Sequence, residues 1–395
     1  MKKGTGSCLR AYLMSCAAMA GLLTTGAATA QESAPAGEGE RAVDTIVVTA
    51  RRREESLIDV PVAMTVQSAE ALDLSGATDI TALQRNTPNL TLQVARATNS
   101  TLTAFIRGIG QQDPLWGFEP GIGLYIDDVY VARPQGAILD ILDIERVEVL
   151  RGPQGTLYGR NTIGGAIKFV TARLDDQPTF SVRTNLGEYN QRDLIVSGSA
   201  PLSDGLRVGG ALGVYRRDGY GTNLWNGADI GNRESFSARL TVEFEPAPDW
   251  FFRLTADRLD DDSNANPGHR ELPVPAAFGA PPITTPFGIN VPAGAFPVTD
   301  DVYDSWAGVD ETNEVINQGV SLTGEWTISD HLTFKTVTAW RDGETHGEGI
   351  DFDGTPAPIL DVLAPETVYD DDQFSQEFQL LFDHDRWRGV AGVYY

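Results

Sequence analysis

From residue 179 onward apolar and polar side chains alternate. In Ser235–Phe244 one set of positions carries Phe236, Ala238, Leu240, Val242 and Phe244, and the other carries Ser235, Ser237, Arg239, Thr241 and Glu243. Leu206–Tyr215 sets Leu206, Val208, Leu212 and Val214 against Arg207, Gly209, Ala211 and Gly213. Val320–Ile328 sets Val320, Leu322, Trp326 and Ile328 against Ser321, Thr323, Glu325 and Thr327. A period of two sends successive side chains to opposite faces of a strand. Similar segments recur near 179–187, 192–200, 249–259, 331–341, 373–383 and 388–395, so this region predicts about nine strands of about ten residues each. Their connections alternate between tight ("PLSDGL", "PAPDW") and long ("RDGYGTNLWNGADIGNRE", residues 260–315), and Trp250, Trp326, Trp340 and Tyr394 lie near strand ends. A soluble β-sandwich also alternates, but long strands, terminal aromatics and uneven loops favour an all-β transmembrane barrel, with lipid outside and water inside. An open sheet in a bilayer would leave its edges unpaired, and "WRGVAGVYY" stops inside a strand. The expectation is therefore the N-terminal part of a longer protein, whose isolated fragment would be an open trough prone to edge pairing.

Residues 56–172 have a different texture. Ser68–Leu74 and Asp79–Gln84 read as short helices, each opened by a capping residue. Strand-like pieces surround them: "PVAMTVQ", "TAFIRGI", "GLYIDDVYV", "IERVEVLRG" and "GGAIKFVTA". Together they predict a compact α+β unit. Ahead of it, "DTIVVTA" (44–50) is β-branched and strand-like, yet lies between "QESAPAGEGERAV" and the cationic "RRREES". It reads as a strand without a mate, in a linker spanning 31–55.

The first thirty residues have a basic start, a short apolar middle and Ala28-Thr29-Ala30, the pattern of a secretory signal peptide. Both cysteines, Cys8 and Cys16, lie inside it, so the remaining chain has no disulfide framework and no thiol chemistry. Without Lys2, Lys3 and Arg10 the chain keeps 27 basic against 55 acidic side chains, a net charge of −28. Such acidity argues against nucleic acid as a partner. The four histidines, His269, His331, His346 and His384, show no metal-ligand spacing, and no nucleophile or general-base constellation suggests an enzyme. "RGPQGTLYGRNTIGGAI" is glycine-rich but lacks Gly-Lys-Ser/Thr and leads into a strand, so it is not a phosphate loop.

With "DTIVVTARR", "IRGIG", "PGIGLYIDDVYV", "IERVEVLRGPQGTLYGRNTIGGAIKFVT" and "QEFQL" in place, residues 44–395 resemble a TonB-dependent outer-membrane receptor. The resemblance implies a plug domain (56–172) inside a barrel of roughly 22 strands, of which 179–395 would supply the first part. It implies location in the outer membrane of a Gram-negative bacterium and active uptake of a scarce solute, a ferric siderophore first, with carbohydrate or cobalamin as alternatives. A passive porin is the reading from another class. No cofactor is implied. Asp44, Thr45, Ile46, Val47, Val48, Thr49 and Ala50 correspond to the TonB box, offered as an extra strand to a periplasmic energy transducer. In the family, arginines of the "IRG" and "LRGPQ" motifs pair with barrel-wall glutamates. Here that implies Arg107 and Arg151 locked to Glu377, which the pattern of Phe374, Phe378, Leu380 and Phe382 turns toward the lumen. Ligand contacts are expected at the plug apex, from Gln111, Gln112, Trp116, Phe118, Tyr130 and Arg133. Loop aromatics, including Tyr220, Trp225, Phe278, Phe287, Tyr303 and Trp306, are available beside them.

Overall fold

A computed structural model describes residues 46–95, 98–112, 118–140, 142–265, 268–271, 283–284, 290–291, 296–308, 313–347, 350–351, 354–356, 361–362, 367–384 and 386–395. The α+β unit opens with a two-residue ladder, β1 (Val47–Val48) against β2 (Glu55–Ser56). It continues with β3 (Met64–Ser68), α1 (Ala69–Leu74), a 3-10 helix Ile80–Arg85, β4 (Leu90–Val94), β5 (Leu102–Ile106) and β6 (Ile109–Gly110). Then come β7 (Ile122–Ile126), β8 (Val129–Val131), β9 (Ile144–Arg151), α2 (Gly155–Tyr158) and β10 (Gly165–Thr171). Both sequence-read caps form: the Ser68 side chain accepts from Ala71 N–H and the Asp79 carboxylate from Thr81 N–H. The second helix is 3-10 rather than α.

The central sheet runs β3-β9-β10-β7-β8, with β10 parallel to β7 and its other pairs antiparallel; β4-β5-β6 form a separate sheet. Its middle strands are covered on both faces: Val147, Val149, Ile167 and Phe169 pack with Leu72, Ile80 and Leu83 in one core, while the opposite face buries Glu148 and Lys168 beside Leu150 and Ala166.

Nine long strands follow: β11 (Thr179–Gly187), β12 (Gln191–Ser203), β13 (Leu206–Arg217), β14 (Arg233–Ala247), β15 (Trp250–Asp261), β16 (Asn313–Ser329), β17 (Leu332–Gly347), β18 (Thr367–His384) and β19 (Trp387–Tyr394). They form one antiparallel sheet in strict sequence order. The decisive feature is which face is buried. Along β14 the polar set is covered, Thr241 and Glu243 completely, whereas Leu240 is 55% exposed. A soluble sandwich would bury the leucine. An apolar exterior around a polar interior is the arrangement of a transmembrane barrel. Trp250 and Trp326 stack on that exterior beside the tight turns, with ring centroids 5.0 Å apart. Among the described residues no helix is long and apolar enough to cross a membrane, which says nothing of strands.

Candidate functional site

The N-terminal segment does have a mate. Val47 and Val48 pair with Ser56 and Glu55, and Leu57 N–H donates to Ile46 C=O at 2.8 Å. This overturns the expectation of an unpartnered strand in a free linker. Alternation also survives within it: Val47 is exposed, while Val48 and Ala50 are buried among Tyr125, Leu150, Tyr158 and Ala166. Thr49 is held hardest. Its N–H and hydroxyl both reach Glu148 Oε1, at 2.9 and 3.2 Å, and Lys168 Nζ donates to its Oγ1 at 2.8 Å. Asp44 and Thr45, the first two residues of the predicted box, lie outside the described residues.

The cationic run is equally committed. Arg51 and Arg53 both pair with Glu55, while Arg52, in a left-handed conformation (φ 62), turns inward. Its Nη1 lies 2.7 Å from Asp128 Oδ1, its Nε reaches Leu157 C=O, and its guanidinium stacks over Tyr158, 4.5 Å from the ring centroid. Asp128 is the hub. Lys168 of β10 reaches it at 2.7 Å and Lys335 of β17 at 3.2 Å. One carboxylate thus joins the N-terminal segment, the plug sheet and the barrel wall. Burial alone would push the Asp128 carboxyl up, but Lys168, Lys335 and Arg52 together outweigh it and hold it well below the usual carboxylate range. Burial likewise disfavours the Arg52 cation, yet Asp128 and Glu377 leave it more firmly protonated than an ordinary arginine.

The placement of Asp128 is local chemistry. Asp127 and Asp128 both have positive φ, at 46° and 73°, forming the two-residue turn between β7 and β8. Asp127 accepts from Thr171 N–H and Oγ1, which fixes the turn against β10 and leaves Asp128 to collect the cations.

Glu377 does face inward, opposite exposed Phe374 and Phe378, but its partner differs from expectation. The cation at 3.8 Å is Arg52. Arg107 is exposed beside Gly152 and Arg151 Nη2 reaches Met64 C=O at 3.4 Å; among the described residues neither forms an ion pair. The Arg107/Arg151–Glu377 lock is therefore corrected: charge reaches Glu377 from a residue two positions past the predicted box. The sequence carried signals for this site, namely a lysine and a glutamate inside apolar strands ("AIKFV", "VEVL") and an Asp-Asp turn.

The ligand candidates divide. Gln111, Phe118 and Arg133 line one hollow, and Phe118 and Arg133 face Tyr369, Asp370 and Asp371 of β18 across a cavity of about 220 Å³. Gln112 is exposed nearby, while Trp116 lies outside the described residues, as do Phe278 and Phe287. Tyr130 is a correction. It is buried against Tyr125, and its hydroxyl accepts from Asn161, so it belongs to the plug core. Tyr220 and Tyr303 meet edge to face at 4.9 Å, joining two long loops.

A second seam ties the plug to β12–β15. Leu142 packs against Ile195, Ala211 and Tyr215. Asp140 takes Arg233 and Ser237, Arg239 Nη1 donates to Leu142 C=O at 2.9 Å, and Arg253 Nη2 donates to Thr171 Oγ1 and Ala172 C=O at 2.6 and 2.7 Å.

Comparison with known proteins agrees with this architecture. Residues 56–166 match the TonB-dependent receptor plug domain family. The pesticin receptor of Yersinia pestis is 31% identical over 253 residues, 61% of this chain and 35% of the receptor. The vitamin B12 transporter BtuB of Vibrio vulnificus is 24% identical over 82% of this chain and 53% of its own length. The ferric yersiniabactin uptake receptor FyuA of Yersinia pestis superposes with a TM-score of 0.65 at 22% identity, covering 84% of this chain and 48% of that one. The siderophore receptor PiuA of Acinetobacter baumannii gives 0.67 at 16% identity, covering 86% and 46%. The chain spans between about a third and a half of these relatives. It joins a segment that matches the TonB-dependent receptor plug domain family to a run of barrel strands that share the fold of these solved receptors.

Proposed function

We propose that this chain is the plug-bearing part of an active transporter in the outer membrane of a Gram-negative bacterium. It imports a scarce solute, with a ferric siderophore first in line, and carries out no covalent chemistry. A TonB-type periplasmic energy transducer pulls on Asp44–Ala50 by adding that segment to its own sheet edge. The observation that carries the reading is the Asp128 hub. Because Arg52 lies two residues past the segment, tension on the segment reaches its contacts with Asp128 of the plug and Glu377 of the wall within a few residues of the pull. The two-residue ladder with Glu55–Ser56 is short enough to exchange for a partner's strand.

The names of the relatives favour siderophores and keep vitamin B12 uptake as a second substrate class. The cavity between Phe118, Arg133 and Tyr369 is where the solute would first meet the plug. The test deletes residues 44–50 from the full-length protein and follows ferric yersiniabactin, ferripyoverdine, hemin and vitamin B12. Import of the recognised solute should stop while its binding to cells persists. Import that continues undiminished would instead support a passive porin.

A further inference from the structure

Sequence spacing gives no metal site, because the histidines are scattered. Folding brings two of the four together. His331 lies in the tight turn between β16 and β17, and His384 ends β18, with ring centroids 4.8 Å apart and planes tilted by 51°. The backbone there is regular. Asp383 N–H donates to His331 C=O at 3.0 Å, continuing the ladder beyond Leu332 and Phe382. The His331 ring is oriented as well, with Nδ1 2.8 Å from Asp383 C=O. A carbonyl can only accept, so Nδ1 carries a proton, and in the neutral ring Nε2 is the nitrogen left with a lone pair. A backbone carbonyl fixing one ring nitrogen so that the other can bind metal is the usual support for a ligating histidine. Asp383 itself is turned to Arg388, at 2.9 Å, and so does not compete for the imidazoles.

The separation of the rings fits a shared ion. With metal–nitrogen bonds of about 2.0–2.1 Å and a ring radius of about 1.1 Å, two imidazoles on one ion have centroids about 4.5 Å apart at a right angle and about 5.1 Å apart at the tetrahedral angle. The observed value lies between them. Both side chains are exposed, so an ion can enter and its remaining positions can be filled by water or another donor.

We propose that His331 and His384 form a two-histidine site for a borderline divalent transition metal (copper, nickel or zinc) on the short-turn rim of the barrel, bridging two neighbouring turns. Imidazole donors favour these ions over magnesium or calcium, and copper binds most tightly of the series. The site is separate from the Asp128 hub and from the cavity at Phe118, and it stands whatever the barrel imports.

The test uses the full-length protein, purified in detergent without a histidine tag and titrated with Cu2+. Electron paramagnetic resonance should show one saturable ion with coupling to two equivalent nitrogens. His331→Gln and His384→Gln should each weaken binding by about tenfold or more, while His346→Gln, at the opposite end of β17, should leave it unchanged. Retained heat-modifiable gel migration would establish that the variants stay folded. Absence of saturable binding in the wild type, or undiminished two-nitrogen binding in the His331/His384 double variant, would overturn the proposal.

Discussion

Arg52 sits in a run of three arginines that composition alone marks as a solvated patch, yet its side chain is 4% exposed and touches plug and wall at once. Removing it would leave Asp128 with Lys168 and Lys335, and Glu377 with no ion-pair partner among the described residues. Loss of one member of a buried pair typically costs about 3–5 kcal/mol. Arg52→Ala is expected to loosen residues 46–56, seen as rapid motion of a spin label at Val47 and early proteolysis before Ser56. Asp140 behaves in the opposite sense. Burial raises its carboxyl to about 6, against the opposing pull of Arg233 and Ser237, and Asp79 and Asp261 add to the rise. A folded value above the unfolded one of about 3.9 means that the folded state binds the extra proton. The plug seat should therefore strengthen as pH falls from above 6 toward 4, and Asp140→Asn should flatten that slope in thermal melts of the full-length protein. Neither role was legible in the sequence, since a partner ninety or three hundred residues away leaves no local trace.

Elements were far more readable. Ser68 and Asp79 capped where they were expected to, because a cap needs only a short polar side chain beside a helical run. The nine long strands followed from alternation alone, although β18 reached 18 residues where about ten were expected. Outside the bilayer, polar residues on both faces can extend a ladder without disturbing the pattern that reveals it. The glycine run shows what an element demands of single positions. Gly165 opens β10 at φ +151, and a Cβ there would lie 2.2 Å from Leu150 C=O. Gly165→Ala should strain the β9–β10 pairing by about 1–3 kcal/mol, lowering the plug's melting temperature while leaving barrel migration on gels intact. The segment 46–50 was misread at this level. Its β-branched residues announced a strand, but the mate is a two-residue stub whose sequence, Glu55-Ser56, carries no strand signal.

On the scale of the whole molecule, the inverted burial of β13–β18 carries the membrane assignment. Leu240, Leu254, Leu322 and Phe378 face outward, while Thr241, Glu243, Arg253 and Gln379 face the plug. Leu240→Arg should therefore destabilise insertion into lipid vesicles by about 2–4 kcal/mol, measured by urea titration of the vesicle-bound full-length protein. Trp250 and Trp326, stacked beside the tight turns, mark one bilayer boundary.

Period-two alternation, capping residues and turn chemistry act over a few residues, so the class of fold and the order of its elements were already written in the chain. The meeting of Arg52 with Glu377, the gathering of three cations on Asp128, and the pairing of His331 with His384 were not. Each joins residues from turns and strands far apart in the chain, and such neighbours are set by sheet register and by how the plug seats against the wall, which depend on packing across the entire protein.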